Sequence, residues 1–336
     1  MPLGANKAGL FGAAGASGAA GDRGVFGGTS SYESSPAESN SIEYITISST
    51  GNGTDFGDMS SIGTREGSAN GTSGGRGVWD SGRSGSPFEY TYVTIQTLGN
   101  SADFGDYDVN LSGRGSMSNG SNDRGMWVGG RNPTTTNSDE CEYITLSSAG
   151  NGTDFGNLVE GRSYAMQASS NGTDERGIMM GGEGSPSDSA HQEIDYFTIS
   201  STGNASDFGD MSTIHKSGGS TSNDTNDRMV TAGGNRFSNE TTLAAQYDDF
   251  IDYITITSTG NSTDFGNLVE GAGYPGSVSN GVNERGVFYG GHTYDSGYGD
   301  KTVIDYITIN STGNASDFGD IVVTGHVQGG IDDCQA

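Results

Sequence analysis

The sequence has few basic residues, few apolar residues and no long apolar run. Its 336 residues include only 15 Lys and Arg against 42 Asp and Glu, which gives a net charge of −27. A field of this sign repels nucleic-acid phosphates and anionic headgroups, so we expect no nucleic-acid partner. No stretch approaches the roughly 18 apolar residues that a spanning helix needs, so we also expect no membrane insertion.

Cysteine is almost absent as well. Cys141 and Cys334 lie far apart and form neither a CxxC pair nor a disulfide framework. One disulfide would form if the C-terminal tail passed near Cys141, and two free thiols are the simpler interpretation. The Gly/Ala run at residues 8–20 has too few apolar residues for a secretory signal.

The low apolar content, 31% of residues, would suit a disordered chain. Against disorder, the 15 Tyr, 13 Phe and 2 Trp recur at regular intervals, and 59 Gly are distributed among them. This pattern favours a sheet protein with many tight turns.

One sequence pattern occurs six times. Each copy has a run of β-branched and aromatic residues, a Gly-Asn turn and then Asp-Phe-Gly. The runs begin at Ile42, Thr91, Cys141, Ile194, Ile251 and Ile304. The phenylalanines of the triplets are Phe56, Phe104, Phe155, Phe208, Phe265 and Phe318.

A second pattern alternates with the first. It consists of Arg-Gly, a few apolar residues and, in most copies, Gly-Gly. We interpret its arginines as structural, one per repeat: Arg23, Arg76, Arg124, Arg176, Arg228 and Arg285. Both patterns advance by about 50 residues, so six units fill the chain.

Each unit resolves into four short strands, labelled a to d along the chain. The Arg-Gly pattern is strand b, the tyrosine-containing run is strand c, and Asp-Phe-Gly is strand d. Strand a is expected before Arg-Gly, for example at residues 163–168. Both faces of strand c are apolar, as expected for a blade between two others. The sequence therefore predicts an all-β fold, a six-bladed β-propeller with four-stranded antiparallel blades.

The chain starts and ends within a unit. We expect residues 1–20 to form a Gly/Ala-rich N-terminal arm, which would either attach the chain to another subunit or form a degenerate strand a. Residues 21–328 would form the propeller, and residues 329–336 a C-terminal tail. We expect residues 321–327 to supply the missing strand a of the first blade and close the ring. The alternative is closure by residues 10–20.

These repeats resemble kelch repeats, in which an apolar strand ends in Gly-Gly and a tyrosine strand follows. The segment from Phe288 to Gly291, with Tyr306 and Phe318, carries the resemblance, although kelch units usually have Trp where Phe318 stands. The wording "DYITI-STGN-SDFG" also resembles repeat proteins of marine tailed phages, cyanophages among them. That resemblance implies a virion structural or tail-fibre-like role.

Three motifs have catalytic counterparts elsewhere, and we interpret each as structural. Asp-Phe-Gly occurs without the other kinase motifs, so its phenylalanine is expected to fill the gap between blades. The segment Ala205–Gly209 resembles the turn motif of sialidases. A sialidase also needs arginines clustered at the hub, whereas the arginines here occur once per repeat. A copper centre like that of galactose oxidase needs converging histidines, whereas His191, His215, His292 and His326 occupy unrelated repeat positions.

The connections between Gly-Gly and strand c vary most, and aromatic residues there suit a sugar or a partner protein. Ordinary solvated loops are the alternative. The candidate contact residues are Arg236, Phe237, Tyr247, His292, Tyr294 and Tyr298.

The Asn-x-Ser/Thr triplets fall in the c–d turns, and acidic pairs such as Asp248-Asp249 lack the spacing of calcium loops. We expect no catalytic residue, cofactor or metal.

These observations favour a non-enzymatic virion structural protein: a tail fibre, head fibre or capsid decoration on the extracellular virion surface. Its propeller would bind other virion proteins or a host cell-surface glycan. One alternative is a free bacterial carbohydrate-binding or adhesive propeller. The other, least favoured, is a sialidase- or galactose-oxidase-like enzyme. The sequence does not distinguish a monomer from a homo-oligomer.

Overall fold

The computed structural model describes residues 21–29, 39–60, 68–69, 75–80, 88–132, 137–164, 167–184, 189–236, 246–293, 299–322 and 329–332. In these ranges six antiparallel four-stranded sheets follow one another along the chain, each in the order d-c-b-a. The predicted six-bladed β-propeller is confirmed. The described residues contain no helix long and apolar enough to cross a membrane.

The strands of each type have similar bounds in all blades. Strand b is Arg23–Thr29, Arg76–Asp80, Arg124–Val128, Arg176–Met180, Arg228–Ala232 and Arg285–Tyr289. Strand c is Ser39–Thr46, Glu89–Thr94, Glu140–Thr145, Glu193–Thr198, Phe250–Thr255 and Val303–Thr308. Strand d is Thr54–Asp58, Ala102–Asp106, Thr153–Asn157, Ser206–Asp210, Thr263–Asn267 and Ser316–Asp320.

Strand a lies nearest the propeller axis, and the six copies contact one another around it. In blade order the copies are Gly329–Asp332, Ser68–Ala69, Gly115–Ser118, Ala168–Ser170, Gly219–Ser222 and Gly276–Ser279. Serine side chains link neighbouring copies, as where Ser170 Oγ donates to the Ser118 carbonyl at 2.5 Å and Ser222 Oγ to the Ser170 carbonyl at 2.7 Å. Small residues are needed here because the strands converge.

This composition explains two errors in the prediction. In blade 4, strand a is Ala168–Ser170, not residues 163–168, because the true strand is small and polar and lacks the apolar signal. In blade 1, the closing strand is Gly329–Asp332, not residues 321–327, so it lies in the segment assigned to a tail. Ile321 is buried directly after strand d, and residues 323–328 lie outside the described part.

Closure from the C-terminal side is nevertheless correct. Strand a of blade 1 pairs antiparallel with strand b of the same blade, with Val25 opposite Ile331. Ile331 is fully buried against Val25 and Trp79, so the closing strand also packs on blade 2. The predicted arm at residues 1–20 lies outside the described residues.

The core consists of six clusters, each at a junction between two blades. At the junction of blades 1 and 2, Phe56 packs with Trp79 and Val93. At the junction of blades 6 and 1, Phe318 packs with Phe26 and Ile45. Because the last junction has the same construction as the first, the ring is closed.

A β-bulge directs each phenylalanine into its junction. In blade 1 the pairing passes from Ile42–Gly57 to Glu43–Asp55, so Phe56 has no partner on strand c. The same shift occurs in all six blades. Since a bulge bends the strand and re-aims one side chain, Phe56 turns inward while its neighbour Asp55 stays exposed. Such acidic residues on the outermost strand oppose edge-to-edge pairing between molecules.

Candidate functional site

The two ends of the propeller differ in construction. The a–b and c–d turns emerge at one end, which we call the turn face. The d–a loops and b–c connections emerge at the other, which we call the hairpin face. The sequence-predicted structural residues belong to the junctions and the turn face, and the predicted contact residues Tyr247 and His292, which the structure describes, belong to the hairpin face.

Each of the six predicted arginines joins two blades at the turn face. Arg176 lies over the ring of Tyr196 in its own blade, with 4.5 Å between the guanidinium carbon and the ring centroid. Its Nη1 donates to the carbonyl of Ile256 in the next blade at 3.2 Å. The other five make the same bond at 2.7–3.4 Å, ending with Arg285 to Ile47 across the closing junction. These arginines surround the ring and do not converge on a common point.

The Asp-Phe-Gly triplet clasps the next blade. In blade 4, the Phe208 carbonyl accepts the amide of Gly260 at 2.8 Å, and the amide of Asp210 donates to Asn261 Oδ1 at 3.1 Å. A Cβ on Gly209 would lie 2.5 Å from the Gly260 carbonyl oxygen, so only glycine allows this approach. The asparagines of the Asn-x-Ser/Thr triplets thus have a structural contact at five of the six junctions, and Asn100 makes the same contact at the sixth.

Among the a–b turns that the structure describes, one residue departs from this uniformity. The a–b turns place a residue with left-handed φ at their first position, which is glycine at Gly120, Gly172 and Gly281 but aspartate at Asp224, where φ is 54°. Asp224 is 4% exposed and its Oδ1 has no hydrogen-bond partner. Burial and, secondarily, the negative charge of Asp174 raise the pKa of Asp224 to about 6. Blade 5 therefore carries a strained and poorly solvated carboxyl group.

The hairpin face carries a second tier of short β-pairs above blades 3 to 6. In blade 4, Arg162–Ser163 of the d–a loop pairs with Glu183–Gly184, which pairs with Ser189–Ala190. Blades 5 and 6 have the two-stranded pairs Asn235–Arg236 with Gln246–Tyr247, and His292–Thr293 with Gly299–Asp300. Blade 3 has single bridges at Arg131. The tier holds these loops in fixed positions.

Two of the predicted contact residues meet in this tier. Tyr247 of blade 5 stacks on His292 of blade 6, with ring centroids 6.0 Å apart and an interplanar angle of 26°. Tyr274 meets the same imidazole edge-on at 6.0 Å, and Asp300 Oδ1 lies 3.3 Å from its Nδ1. Phe237, Tyr294 and Tyr298 lie outside the described residues, as does the side chain of Arg236.

Tyr274 was missed by the sequence analysis, and so was its counterpart Tyr164. Both adopt left-handed backbone angles, with φ of 58° and 49°, at the position that Gly113 and Ser217 occupy in other blades. The amide of Tyr274 donates to the Ser217 carbonyl and the amide of Ser217 to the Tyr164 carbonyl, each at 2.8 Å. Bulky residues in this region are strained, and such strain is often found at functional sites.

Charged side chains also join blades 3, 4 and 5 on the hairpin face, beside the ring of Tyr164. Glu183 of blade 4 bonds to Lys216 of blade 5 and lies 3.4 Å from Arg131 of blade 3. Glu183 is 5% exposed and Lys216 12% exposed, so the pair is shielded from water. The Lys216 ammonium also lies 5.8 Å from the Tyr164 ring centroid. The central part of the hairpin face thus combines half-buried tyrosines with fixed charges.

Two buried ion pairs and one buried histidine are structural. Arg114 pairs with Glu142, and Arg162 Nη2 donates to Asp195 at 2.5 Å, with all four side chains at most 4% exposed. His215 is fully buried and stacks on Phe250 at 3.6 Å. Each therefore lacks the access to solvent that a substrate would require.

Cys141 is a free buried thiol, and Cys334 lies outside the described residues. Burial raises the pKa of Cys141 to about 12, so it stays protonated at neutral pH. It lines a cavity of about 110 Å³ together with Arg114 and Glu142. A buried thiol that stays protonated is no nucleophile at neutral pH.

One group on this face has the composition of a metal centre. Glu160, His191 and Glu193 each offer a ligand atom, and these atoms lie within 4.8 Å of one another. The sequence analysis missed this group, because Glu160 lies in a d–a loop and the other two residues lie in the following blade.

Exposed apolar residues also favour the hairpin face. Among the described residues, Val159, Ile214, Val269 and Val322 of the d–a loops are 44–67% exposed, whereas the turn face has only Leu98 and Val282. The amides of Val159, Val269 and Val322 donate to buried acids of the next blade, so their side chains are held outward.

No protein-family model matches the chain, and a comparison with curated proteins finds no similar sequence. The kelch-like and phage-like character of the repeats therefore rests on the sequence motifs alone. What the structure establishes is the architecture: an all-β, six-bladed propeller with one uniform face and one varied face.

Proposed function

We propose that this protein is a non-enzymatic binding module that presents its hairpin face to a macromolecular partner. The observation that carries the proposal is the contrast between the two faces. One arginine–tyrosine–phenylalanine arrangement recurs at every junction, while the described residues of the d–a and b–c loops of blades 3 to 6 present different side chains in each blade. A rigid scaffold with diverse loops is typical of proteins that bind through those loops.

The chemistry of the face suits a polar partner with flat apolar surfaces. Tyr164, Tyr247 and Tyr274 are half-buried, so each offers a ring face or edge while its position is fixed. Fixed charges at Glu183 and Lys216 lie beside them. A host-surface glycan or another protein would suit the tyrosine rings, while the Glu183–Lys216 pair holds the loops beside them, and no nucleophile or general base is required.

At a finer level, we propose that the module is carried on a virion, as a tail fibre, head fibre or capsid decoration. The resemblance of the repeated sequence to marine tailed-phage proteins supports this, together with the strong negative charge. The test is peptide mass spectrometry on particles purified through a density gradient. We expect its peptides to co-purify with the particles in stoichiometric amount, and their presence only in the soluble fraction would contradict the virion role.

The binding role has a separate test on the isolated protein. A glycan array and a pull-down with other virion proteins should both use the wild type and the double variant Tyr247→Ala, Tyr274→Gly. We expect the variant to lose at least about tenfold in affinity, while Leu98→Ala on the turn face leaves binding unchanged. Equal binding by both variants would place the contact surface elsewhere.

The bacterial alternative makes a different prediction. A free carbohydrate-binding propeller should bind glycans tightly as a monomer and be absent from particles. The varied aromatic loops also suit that role, so the particle experiment separates the two functions.

A further inference from the structure

The hairpin face of blade 4 holds three metal-ligating side chains. Glu160 lies in the d–a loop before this blade, His191 in its b–c connection and Glu193 at the start of its strand c. Their ligand atoms lie within 4.8 Å of one another, and no other such group occurs in the described ranges. None of the three belongs to the tyrosine and charge cluster of the proposed binding surface.

His191 is held in place before any ligand arrives. Its backbone amide donates to the Gly182 carbonyl at 2.8 Å, and its Nδ1 lies 2.9 Å from Glu193 Oε2. The ring covers Gly184, where a Cβ would lie only 2.0 Å from Nε2. Nε2 therefore faces the backbone, and Nδ1 is the nitrogen directed toward the carboxylates.

The accessibility and charge of the group also fit a cation. The side chains of His191 and Glu193 are 16% and 45% exposed, and Glu160 is exposed, so an ion can enter from solvent. Arg162 Nη1 donates to the Glu193 carbonyl at 2.7 Å, and the same guanidinium is paired with Asp195.

We propose that Glu160, His191 and Glu193 bind one divalent transition-metal ion, with Zn²⁺ as the preferred species. Imidazole and carboxylate ligands suit Zn²⁺, whereas Ca²⁺ and Mg²⁺ prefer oxygen ligands alone. Zn–N and Zn–O bonds of about 2.0–2.2 Å place tetrahedral ligands roughly 3.4 Å apart, so the 2.9 Å between His191 Nδ1 and Glu193 Oε2 has to widen and the exposed Glu160 side chain has to rotate inward. Three protein ligands leave one position for water or for a donor atom of a bound partner.

The chain provides a matched control two blades further on. Glu270 follows Val269 just as Glu160 follows Val159, and its side chain is 62% exposed. Instead of a histidine it faces the Lys301 ammonium at 3.4 Å. Glu270→Gln therefore removes one negative charge at the equivalent loop position and leaves the three proposed ligands unchanged.

The experiment is calorimetric titration of the intact chain with Zn²⁺ in an excess of Ca²⁺, which occupies the general acidic surface. A Cys334→Ser background removes the terminal thiol as a ligand. We expect about one equivalent of Zn²⁺ to bind, with affinity reduced at least tenfold in Glu160→Gln, His191→Gln and Glu193→Gln and unchanged in Glu270→Gln. Circular dichroism confirms that each variant is folded.

X-ray absorption at the zinc edge provides a second measurement that does not depend on variants. The proposal predicts a shell with one imidazole nitrogen and oxygen ligands. An all-oxygen shell, binding abolished by Ca²⁺, or unchanged affinity in folded His191→Gln would each overturn it.

Discussion

The turn face and the hairpin face are built from the same repeats, yet they differ in what varies. On the turn face, the distance from arginine to tyrosine ring stays between 4.2 and 4.7 Å in all six blades. On the hairpin face, the position of Tyr274 is taken by glycine, tyrosine or serine in other blades. The comparison shows that closure of the ring depends on the junctions and the turn face, which leaves the hairpin face free to differ.

The difference follows from what each face must do. Because the ring is closed, a change in the orientation of one blade would displace the blades next to it. The Arg176–Ile256 bond and its equivalents fix this geometry. The loops of the hairpin face are also linked between blades, by backbone amides as from Val159 to Asp195 and by single pairs such as Glu183 with Lys216, but their side chains differ from blade to blade.

The largest effect is expected from the junction phenylalanines. Phe208→Ala and Phe318→Ala each remove a ring that is 3% exposed, and each should lower the free energy of unfolding by about 3–5 kcal/mol. Phe318 is the sharper test, since it lies at the closing junction. Urea denaturation measures both, with Leu98→Ala as the control. A much smaller loss for Phe318→Ala would mean that the last junction is loose.

The next effect concerns the clasp between blades. Gly209→Ala places a methyl group against the Gly260 carbonyl, whereas Gly203→Ala meets nothing within 4 Å, although its φ of +156° is similar to the +148° of Gly209. Both variants carry the backbone strain, so their difference isolates the close approach. We expect Gly209→Ala to be less stable than Gly203→Ala by about 2 kcal/mol in thermal or urea unfolding. Equal stabilities would contradict the clasp.

A smaller loss is expected from the arginine contacts. Arg176→Met keeps an apolar stem but removes the cation over Tyr196 and the bond to Ile256. We expect the free energy of unfolding to fall by about 1–3 kcal/mol in urea denaturation. Arg176→Lys should recover only part of it, because an ammonium lacks the planar fork. Full recovery with lysine would show that only charge matters.

The smallest effect is a gain, at the irregular a–b turn of blade 5. Asp224→Gly restores the residue found in three other a–b turns and removes a carboxyl group with a pKa of about 6. The folded pKa lies above the ordinary value of 3.8, so the wild type loses stability as pH rises from about 4 to 6. Asp224→Gly should therefore raise the free energy of unfolding more at pH 8 than at pH 4. After allowance for screening by water, we expect the difference between the two increases to be about 1–2 kcal/mol. A gain independent of pH would assign the effect to backbone strain alone.

The sequence predicted the blades well where apolar periodicity was strong. Strands b, c and d carry arginine, tyrosine and phenylalanine at fixed spacing, and the structure places them accordingly. Strand a was misplaced, because Gly219–Ser222 and its equivalents are small and polar for packing around the axis. For the same reason the closing strand Gly329–Asp332 was taken for a tail.

The candidate site was only partly predictable. The variable connections indicated Tyr247 and His292, but their stacking across two blades depends on tertiary structure. Tyr164 and Tyr274 gave no signal, since their left-handed backbone is set by the d–a loops. Glu160 and His191 gave none either, because a metal-ligating group assembled from two blades has no local spacing.

The most direct test of the uniform scaffold is amide hydrogen exchange on the intact chain. The account predicts that strand c of blade 1, Ser39–Thr46, is protected as strongly as strand c of blades 3 to 6, because strand a at Gly329–Asp332 completes its sheet. Exchange in blade 1 that is faster by orders of magnitude, with protection rising toward the middle blades, would indicate an open arc and contradict the closed ring.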